Sequence, residues 1–163
     1  DFINTNYWIL GLLNENNIKL KELFKTIINL AYNNKKIKSN KIIYLSNKEA
    51  EMVKMFRNCF LATKVSFCNE MYQFCRMKNI NYNNIKNIAI LDERIGVSHT
   101  AVPGPDGNTG YSGSCFPKDM RSMKYQMDLI NSKALVLEAC IKRNETIDRK
   151  SKDWELLVGR ACI

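Results

Sequence analysis

One cysteine stands apart from the other thiols of this sequence. Cys115 lies in GNTGYSGSCFPKD, residues 107–119, after glycines and serines and directly before Phe-Pro-Lys-Asp. Pro117 fits the first turn of a helix, so Cys115 is expected at a helix N-terminus, where backbone N–H groups and the helix dipole favour an anion. Lys118 adds a positive charge, and both effects favour the nucleophilic thiolate. Spacing alone leaves two interpretations open, a reactive thiol and an ordinary loop thiol.

The other cysteines do not indicate a metal site. No C-x-x-C pair occurs and the sequence has one histidine, His99, so we predict no zinc site. Cys59, Cys68 and Cys75 fall within one helical pattern, which indicates reduced, buried thiols of a cytoplasmic protein. His99 lies in a loop and is expected to be solvated.

The charge of the chain does not by itself identify a partner. The 163 residues carry a formal charge of +9, which is compatible with an anionic partner. The lysines are diluted by asparagine and isoleucine, however, and the aromatic residues do not interleave with arginine, so we predict no nucleic-acid binding. No apolar run approaches the roughly 18 residues that cross a bilayer, so no membrane span is predicted.

The hydrophobic pattern changes once along the chain. Residues 7–13, 15–34 and 41–46 read as strand, helix and strand, which is typical of the end of a Rossmann-like α/β layer. Residues 46–80 then contain neither Gly nor Pro. They predict one long helix, capped by Ser46 or Asn47, whose wide apolar content suggests a dimer core.

The rest of the chain predicts shorter helices around one long loop. Helices are expected over 81–96, 117–130 and 132–150, and the Gly- and Pro-rich residues 97–115 form the loop that ends at Cys115. The predicted fold is mostly α. The predicted domains are an α/β end (1–45), a helical central domain (46–150) and a C-terminal tail (151–163).

Three stretches resemble one enzyme family. Residues 110–119, GYSGSCFPKD, resemble the catalytic-cysteine loop of the UDP-glucose/GDP-mannose dehydrogenase family. Residues 48–70, KEAEMVKMFRNCFLATKVSFCNE, are similar to the family's long central helix, and LDERIG, residues 91–96, resembles its D-x-R-I-G segment. The order also agrees, and residues 1–11 resemble the end of the family's NAD-binding domain.

The resemblance implies oxidation of a nucleotide sugar at C6, with NAD as cofactor and UDP-glucose to UDP-glucuronate as the first expectation. Cys115 matches the nucleophile that forms a thiohemiacetal and then a thioester. Asp119 matches the aspartate that assists water or proton transfer. Lys54 and Asn58 match a catalytic and substrate-binding pair whose i, i+4 spacing places both on one helix face, as a shared oxyanion site requires.

Further roles follow from the same resemblance. Arg94 matches an arginine that reaches a substrate phosphate from the neighbouring subunit, which implies a homodimer. The cofactor is expected near Cys115 and Lys118. The substrate is also expected along the glycine-rich part of the loop, formed by Gly110, Tyr111, Ser112 and Gly113.

The chain departs from the family pattern in two places. Ser112 stands where the family generally has a glycine, and the serine would weaken binding if that position needs a positive φ or a close approach of the substrate. The loop at 97–109 is longer than in typical bacterial enzymes and resembles a short viral or phage-like branch, for which the host cytoplasm would be the location. No G-x-G-x-x-G stretch occurs, so we expect residues 1–163 alone to lack turnover.

Alternatives remain at two levels. Within the family, GDP-mannose or a UDP-N-acetylhexosamine could replace UDP-glucose. Outside enzyme function, the chain could be a non-catalytic dimerisation or binding module that retains the motifs.

Overall fold

The chain begins with two parallel strands joined by a helix. In the computed structural model, which describes residues 3–14 and 16–157, β1 (Trp8–Leu12) pairs in parallel with β2 (Ile42–Ser46). Trp8 lies opposite Ile42 and Leu12 opposite Ser46. The connecting helix α1 (Ile18–Asn33) is capped by Asn17, whose side chain accepts a 3.0 Å hydrogen bond from the Leu20 backbone N–H. The predicted strand–helix–strand is confirmed.

A long helix follows β2 without a loop. Helix α2 (Asn47–Met77) begins with a reciprocal cap, in which Ser46 Oγ accepts from the Glu49 N–H at 3.3 Å and Glu49 Oε2 accepts from the Ser46 N–H at 2.9 Å. Gly11 of β1 lets the first turn of α2 approach closely, since a Cβ there would lie 2.9 Å from Asn47 Oδ1. The predicted long helix is confirmed.

The chain divides between Lys54 and Met55 into two compact units. The second unit contains the rest of α2 together with α3 (Tyr82–Ala89), α4 (Phe116–Leu129) and α5 (Leu135–Arg143). A π-helical turn, Asn144–Asp148, continues α5, and a 3₁₀ turn, Asp153–Leu156, follows. The predicted boundaries at 45/46 and 150/151 stay predictions, and residues 158–163 of the predicted tail lie outside the described residues.

Two helices end earlier than predicted. Helix α3 ends at Ala89, before the predicted limit at 92–96, because Asp92 Oδ1 accepts from the Arg94 N–H at 3.0 Å and closes a separate turn. Helix α5 is α-helical only to Arg143 and then widens into the π-helical turn.

The core of the second unit has two parts along α2. The first joins α2 to α4 and to residues 97–115, hereafter the cysteine loop, and its buried members are Cys59, Ala62, Tyr111 and Met120. The second joins the later turns of α2 to α3 and the same loop, and its buried members are Cys68, Cys75, Tyr82 and Val102. The three helix cysteines predicted to be buried are buried, free thiols. Among residues 3–14 and 16–157, no helix is both long and apolar enough to cross a membrane.

Candidate active site

Cys115 occupies the position that its sequence context predicts. It is the N-cap residue of α4, its side chain makes no capping hydrogen bond, and the thiol is free and exposed. Its carbonyl oxygen accepts the first helical hydrogen bond, from the Asp119 N–H at 2.8 Å. The thiol therefore stands exposed at the N-terminus of α4.

A buried carboxylate lies one helical turn beyond the thiol. The side chain of Asp119 is 1% exposed. Its Oδ2 accepts from Asn58 Nδ2 at 2.5 Å and its Oδ1 accepts from Lys118 Nζ at 2.8 Å. The hydrogen bond to Asp119 is the main cause that raises the pKa of Lys118, to which the nearby Cys115 thiol adds. Both oxygens of the buried carboxylate are thus compensated by a donor.

Asn58, Lys118 and Asp119 are joined by hydrogen bonds beside Cys115, and all four were predicted site residues. Lys54 lies on α2 one helical turn before Asn58. Arg94 lies outside this cluster, in the turn after α3. Its side chain is 89% exposed and pairs with Asp92 through Nε at 2.9 Å and Nη2 at 2.5 Å.

Two asparagines that the sequence analysis missed hold the cysteine loop. Asn144 is 1% exposed, and its side chain accepts from the Tyr111 N–H at 2.8 Å and donates to the Tyr111 carbonyl at 3.0 Å. Asn69 Oδ1 accepts from the Gly110 N–H at 3.1 Å. Asparagine is common in this sequence and usually solvated. The one sequence signal for Asn69 and Asn144 is that each lies within an otherwise apolar helical stripe.

The glycine and the serine predicted to bind substrate also have local structural roles. Gly110 has φ +74°, and a Cβ there would lie 2.5 Å from Asn144 Oδ1 and 3.0 Å from Asp148 Cβ, so the loop needs glycine at this position. Ser112 does not adopt a positive φ. The serine is therefore unstrained, and its hydroxyl donates to Asp153 Oδ1 at 2.9 Å.

A cleft of about 650 Å³ opens along the loop beside Cys115. Its volume lies within the range of small-molecule sites. Side chains and backbone that line it include His99, Tyr111, Ser112, Gly113, Phe116 and Arg149. His99 is exposed, as predicted, and its ring centre lies 5.6 Å from that of Phe116. Partial burial, aided by the charge of Lys64, lowers the pKa of His99.

Known proteins share both the sequence pattern and the fold. The profile of the UDP-glucose/GDP-mannose dehydrogenase family, central domain, matches residues 48–146. The UDP-glucose 6-dehydrogenase of Pseudomonas aeruginosa is 35% identical over 104 residues, which are 64% of this chain and 22% of that protein. The enzyme of the same name from Campylobacter jejuni is 33% identical over 123 residues, 76% of this chain and 30% of that protein.

The structure of a UDP-glucose dehydrogenase from the hyperthermophilic archaeon Pyrobaculum islandicum superposes with a TM-score of 0.72 over 89% of this chain and 30% of the other, at 23% identity. At that identity the likeness is one of fold. The chain thus spans between about a fifth and a third of the length of these proteins. Because the family profile covers most of α2, the cysteine loop and all of α4 and α5, the chain belongs to the UDP-glucose/GDP-mannose dehydrogenase family, whose central domain it contains.

Proposed function

We propose that the full-length protein is an NAD-dependent nucleotide-sugar 6-dehydrogenase with Cys115 as its nucleophile. The observation that carries the proposal is an exposed thiol at the N-terminus of α4, one turn from a buried Asp119 that accepts from Asn58 and Lys118. UDP-glucose is the first choice of substrate because the two relatives above bear that name. GDP-mannose and UDP-N-acetylhexosamines are the alternatives.

The proposed reaction needs a thiol only in its second half. Loss of a hydride and a proton converts the C6 alcohol to an aldehyde. The Cys115 thiolate then attacks the aldehyde carbon, a C–S bond forms, and the carbonyl electron pair moves to oxygen to give a thiohemiacetal. Loss of a second hydride gives a thioester. Water adds to this carbon, the C–S bond breaks, and the carboxylate and a regenerated thiolate are released.

The side chains around Cys115 suit the charges that develop in these steps. The Lys118 ammonium has three donors, and one of them is used by Asp119. The others can bind the oxyanion of the thiohemiacetal or the cofactor. Asp119 is 1% exposed and accepts from Asn58 and Lys118, so it positions both side chains, and a proton can pass between it and the site through Lys118. Lys54, as a substrate donor, keeps its role from the family resemblance.

Two NAD molecules in succession would each accept one hydride. Lys118 and Cys115 suit the nicotinamide end of that cofactor. The G-x-G-x-x-G sequence, whose glycines let a backbone approach a pyrophosphate, does not occur in residues 1–163. We therefore propose that other parts of the full-length protein hold the phosphates and that residues 1–163 alone do not turn over.

We also propose a homodimer formed through α2. Four phenylalanines, each at least half exposed, recur at helical spacing along one face of the helix: Phe56, Phe60, Phe67 and Phe74. Monomeric proteins rarely leave such a row of large apolar side chains in contact with water. A second copy of the same helix face would cover them. Arg94 lines the same apolar groove as Phe60, Phe67 and Phe74. A partner seated there would bring Arg94 to the interface, as its proposed role in the neighbouring subunit requires.

The test is NADH formation by the full-length protein across UDP-glucose, GDP-mannose and UDP-N-acetylhexosamines. We expect acid formation from one of them, and we expect Cys115→Ser to lower it by more than about a thousandfold. Cys140→Ser, a half-buried thiol in the same unit, is the matched control and should retain activity. Iodoacetamide should label Cys115 before Cys140. If no sugar is oxidised and Cys115 reacts no faster than Cys140, the chain is a non-catalytic dimerisation or binding module instead.

A further inference from the structure

A buried guanidinium ties together distant parts of the second unit beside the candidate site. Arg149 is 5% exposed, and its Nη2 donates to Asp106 Oδ2 at 2.5 Å and to Asp153 Oδ2 at 2.6 Å. Its Nε donates to Asp153 Oδ1 at 2.8 Å, and its Nη1 donates to the Thr109 carbonyl at 3.4 Å. Each nitrogen of the guanidinium therefore has a partner, which is how proteins compensate a buried cation.

The same network reaches the residues just before Cys115. Ser112 Oγ donates to Asp153 Oδ1, the oxygen that also accepts from Arg149. The chain of contacts therefore runs from Asp106 through Arg149 and Asp153 to Ser112. We call these four residues the Arg149 clamp. It includes or contacts three residues of the cysteine loop, Asp106, Thr109 and Ser112, which lie nine, six and three residues before the nucleophile.

The charges of the clamp persist at neutral pH. The hydrogen bonds from Arg149, with a smaller contribution from Ser112, lower the pKa of Asp153 to about 2. The hydrogen bond from Arg149 likewise lowers the pKa of Asp106, and the two carboxylates raise that of Arg149. Both carboxylates are thus ionised throughout the range in which a thiolate mechanism would operate.

Two residues of the cysteine loop supply side chains to the clamp. Asp106 accepts from Arg149, and the Ser112 hydroxyl donates to Asp153, three residues before the thiol. A glycine at position 112 would have no hydroxyl to donate.

We propose that the Arg149 clamp is a positioning network that holds the cysteine loop so that Cys115 Sγ stays at the N-terminus of α4. The effect on turnover rests on the proposed function. The effect on the thiol itself does not, because an alkylation rate is measured without substrate.

The test compares full-length variants Ser112→Ala, Asp106→Asn and Asp153→Ala by the site-resolved rate of iodoacetamide labelling at about pH 7. Ser112→Ala removes one hydrogen bond, Asp106→Asn removes the contact to Arg149 Nη2, and Asp153→Ala removes three hydrogen bonds, two from Arg149 and one from Ser112. The carboxylates of Asp106 and Asp153 are 47% and 40% exposed, so the fold should persist. Asp128→Asn is the matched control, since it removes an exposed ion pair to Lys124 on α4, outside the clamp. Labelling of Cys140 is the internal reference.

We expect Cys115 labelling to slow at least twofold in the three clamp variants, because a loosened loop carries Sγ away from the helix N-terminus. The double variant Ser112→Ala/Asp153→Ala should be no slower than Asp153→Ala, since Asp153→Ala already removes the hydrogen bond from Ser112. The proposal is overturned if the rate of Cys115 labelling in the clamp variants falls less than twofold, stays the same or rises. It is also overturned if Asp128→Asn slows Cys115 labelling as much as the clamp variants do. If the unmodified protein oxidises no nucleotide sugar, the proposed function fails. The labelling rates then still test whether the Arg149 clamp positions Cys115. If the unmodified protein is active, kcat should fall in the clamp variants in parallel with labelling, with KM changed less.

Discussion

Two thiols flank Asp119 and differ in what they can do. Cys115 is exposed at the start of α4, whereas Cys59 is buried on α2, where its Sγ lies 3.7 Å from the Asp119 carbonyl oxygen. Burial, and secondarily the charge of Asp119, raises the pKa of Cys59 to about 11. Cys59 is therefore a protonated core residue at neutral pH and is no competitor for an electrophile.

The raised pKa of Cys59 predicts a loss of stability in alkali. In the unfolded chain the thiol ionises near pH 8.5, whereas in the folded protein it keeps its proton to about pH 11. Stability from this group is complete below about pH 8.5 and is lost as the pH rises towards 11. We expect the thiol to account for roughly 2 kcal/mol of the loss between about pH 8 and 10.

The measurement is the free energy of urea unfolding at those two pH values, in the unmodified protein and in Cys59→Ala. The free energy of unfolding should fall less in Cys59→Ala than in the unmodified protein between the lower and the higher pH, because the variant has no thiol at this position to ionise. Burial also raises the pKa of Tyr82 and Tyr111, but both are present in the two proteins and a tyrosine of the unfolded chain ionises only near pH 10, so the difference between the two proteins reports chiefly Cys59. An equal loss in the two proteins would contradict the prediction.

At the scale of single residues, the grouping of the candidate side chains was predictable from sequence, whereas the residues that hold them in place were not. Cys115, Lys118 and Asp119 are adjacent in the chain, and helix periodicity with the family motif identified Asn58. Asn144 and Arg149 were missed because their roles depend on partners 33 and 43 residues away, which no local pattern encodes. Ser112 raised a concern about backbone strain that its φ removes.

At the scale of elements, the cysteine loop depends on one glycine more than on its neighbours. Gly107 and Gly110 have nearly equal φ, +77° and +74°. A Cβ at Gly107 would meet nothing within 4 Å, whereas one at Gly110 would meet Asn144 Oδ1 at 2.5 Å. The two positions therefore separate the cost of a left-handed backbone from the cost of a steric clash.

Replacement of each glycine by alanine tests this difference. Gly107→Ala should reduce the free energy of unfolding by about 1 kcal/mol, from backbone strain alone. Gly110→Ala should cost about 3 kcal/mol, because Asn144 must also give up its paired hydrogen bonds to Tyr111. Urea unfolding of both variants gives the comparison, and equal losses would show that the Asn144 contact does not constrain the loop.

The long helix was the element best predicted from sequence, because an uninterrupted run without Gly or Pro allows few other structures. The ends of α3 and α5 were predicted less well. Asp92 stops α3 with a side-chain hydrogen bond, and the π-helical turn after α5 places Asn144 towards Tyr111. Both endings arise from contacts that helix propensity does not contain.

At the scale of the whole molecule, the exposed phenylalanines of α2 predict assembly. Phe67→Glu would place a charge in the middle of the proposed interface, so we expect the full-length protein to shift from dimer to monomer. Tyr125→Glu, an equally exposed aromatic on α4, is the matched control and should leave the dimer intact. Sedimentation velocity distinguishes the outcomes. A dimer that survives Phe67→Glu would place the interface elsewhere.

The attachment of the cysteine loop to the segment after α5 has a consequence for biosynthesis. Cys115 leaves the ribosome before Asn144, Arg149 and Asp153, which hold its loop through the Tyr111, Asp106 and Ser112 contacts. A nascent chain that stops short of these residues carries Cys115 without the contacts that hold its loop. Domains generally fold as units during synthesis, so the cysteine loop can take its folded conformation only after the last turns of the second unit have emerged.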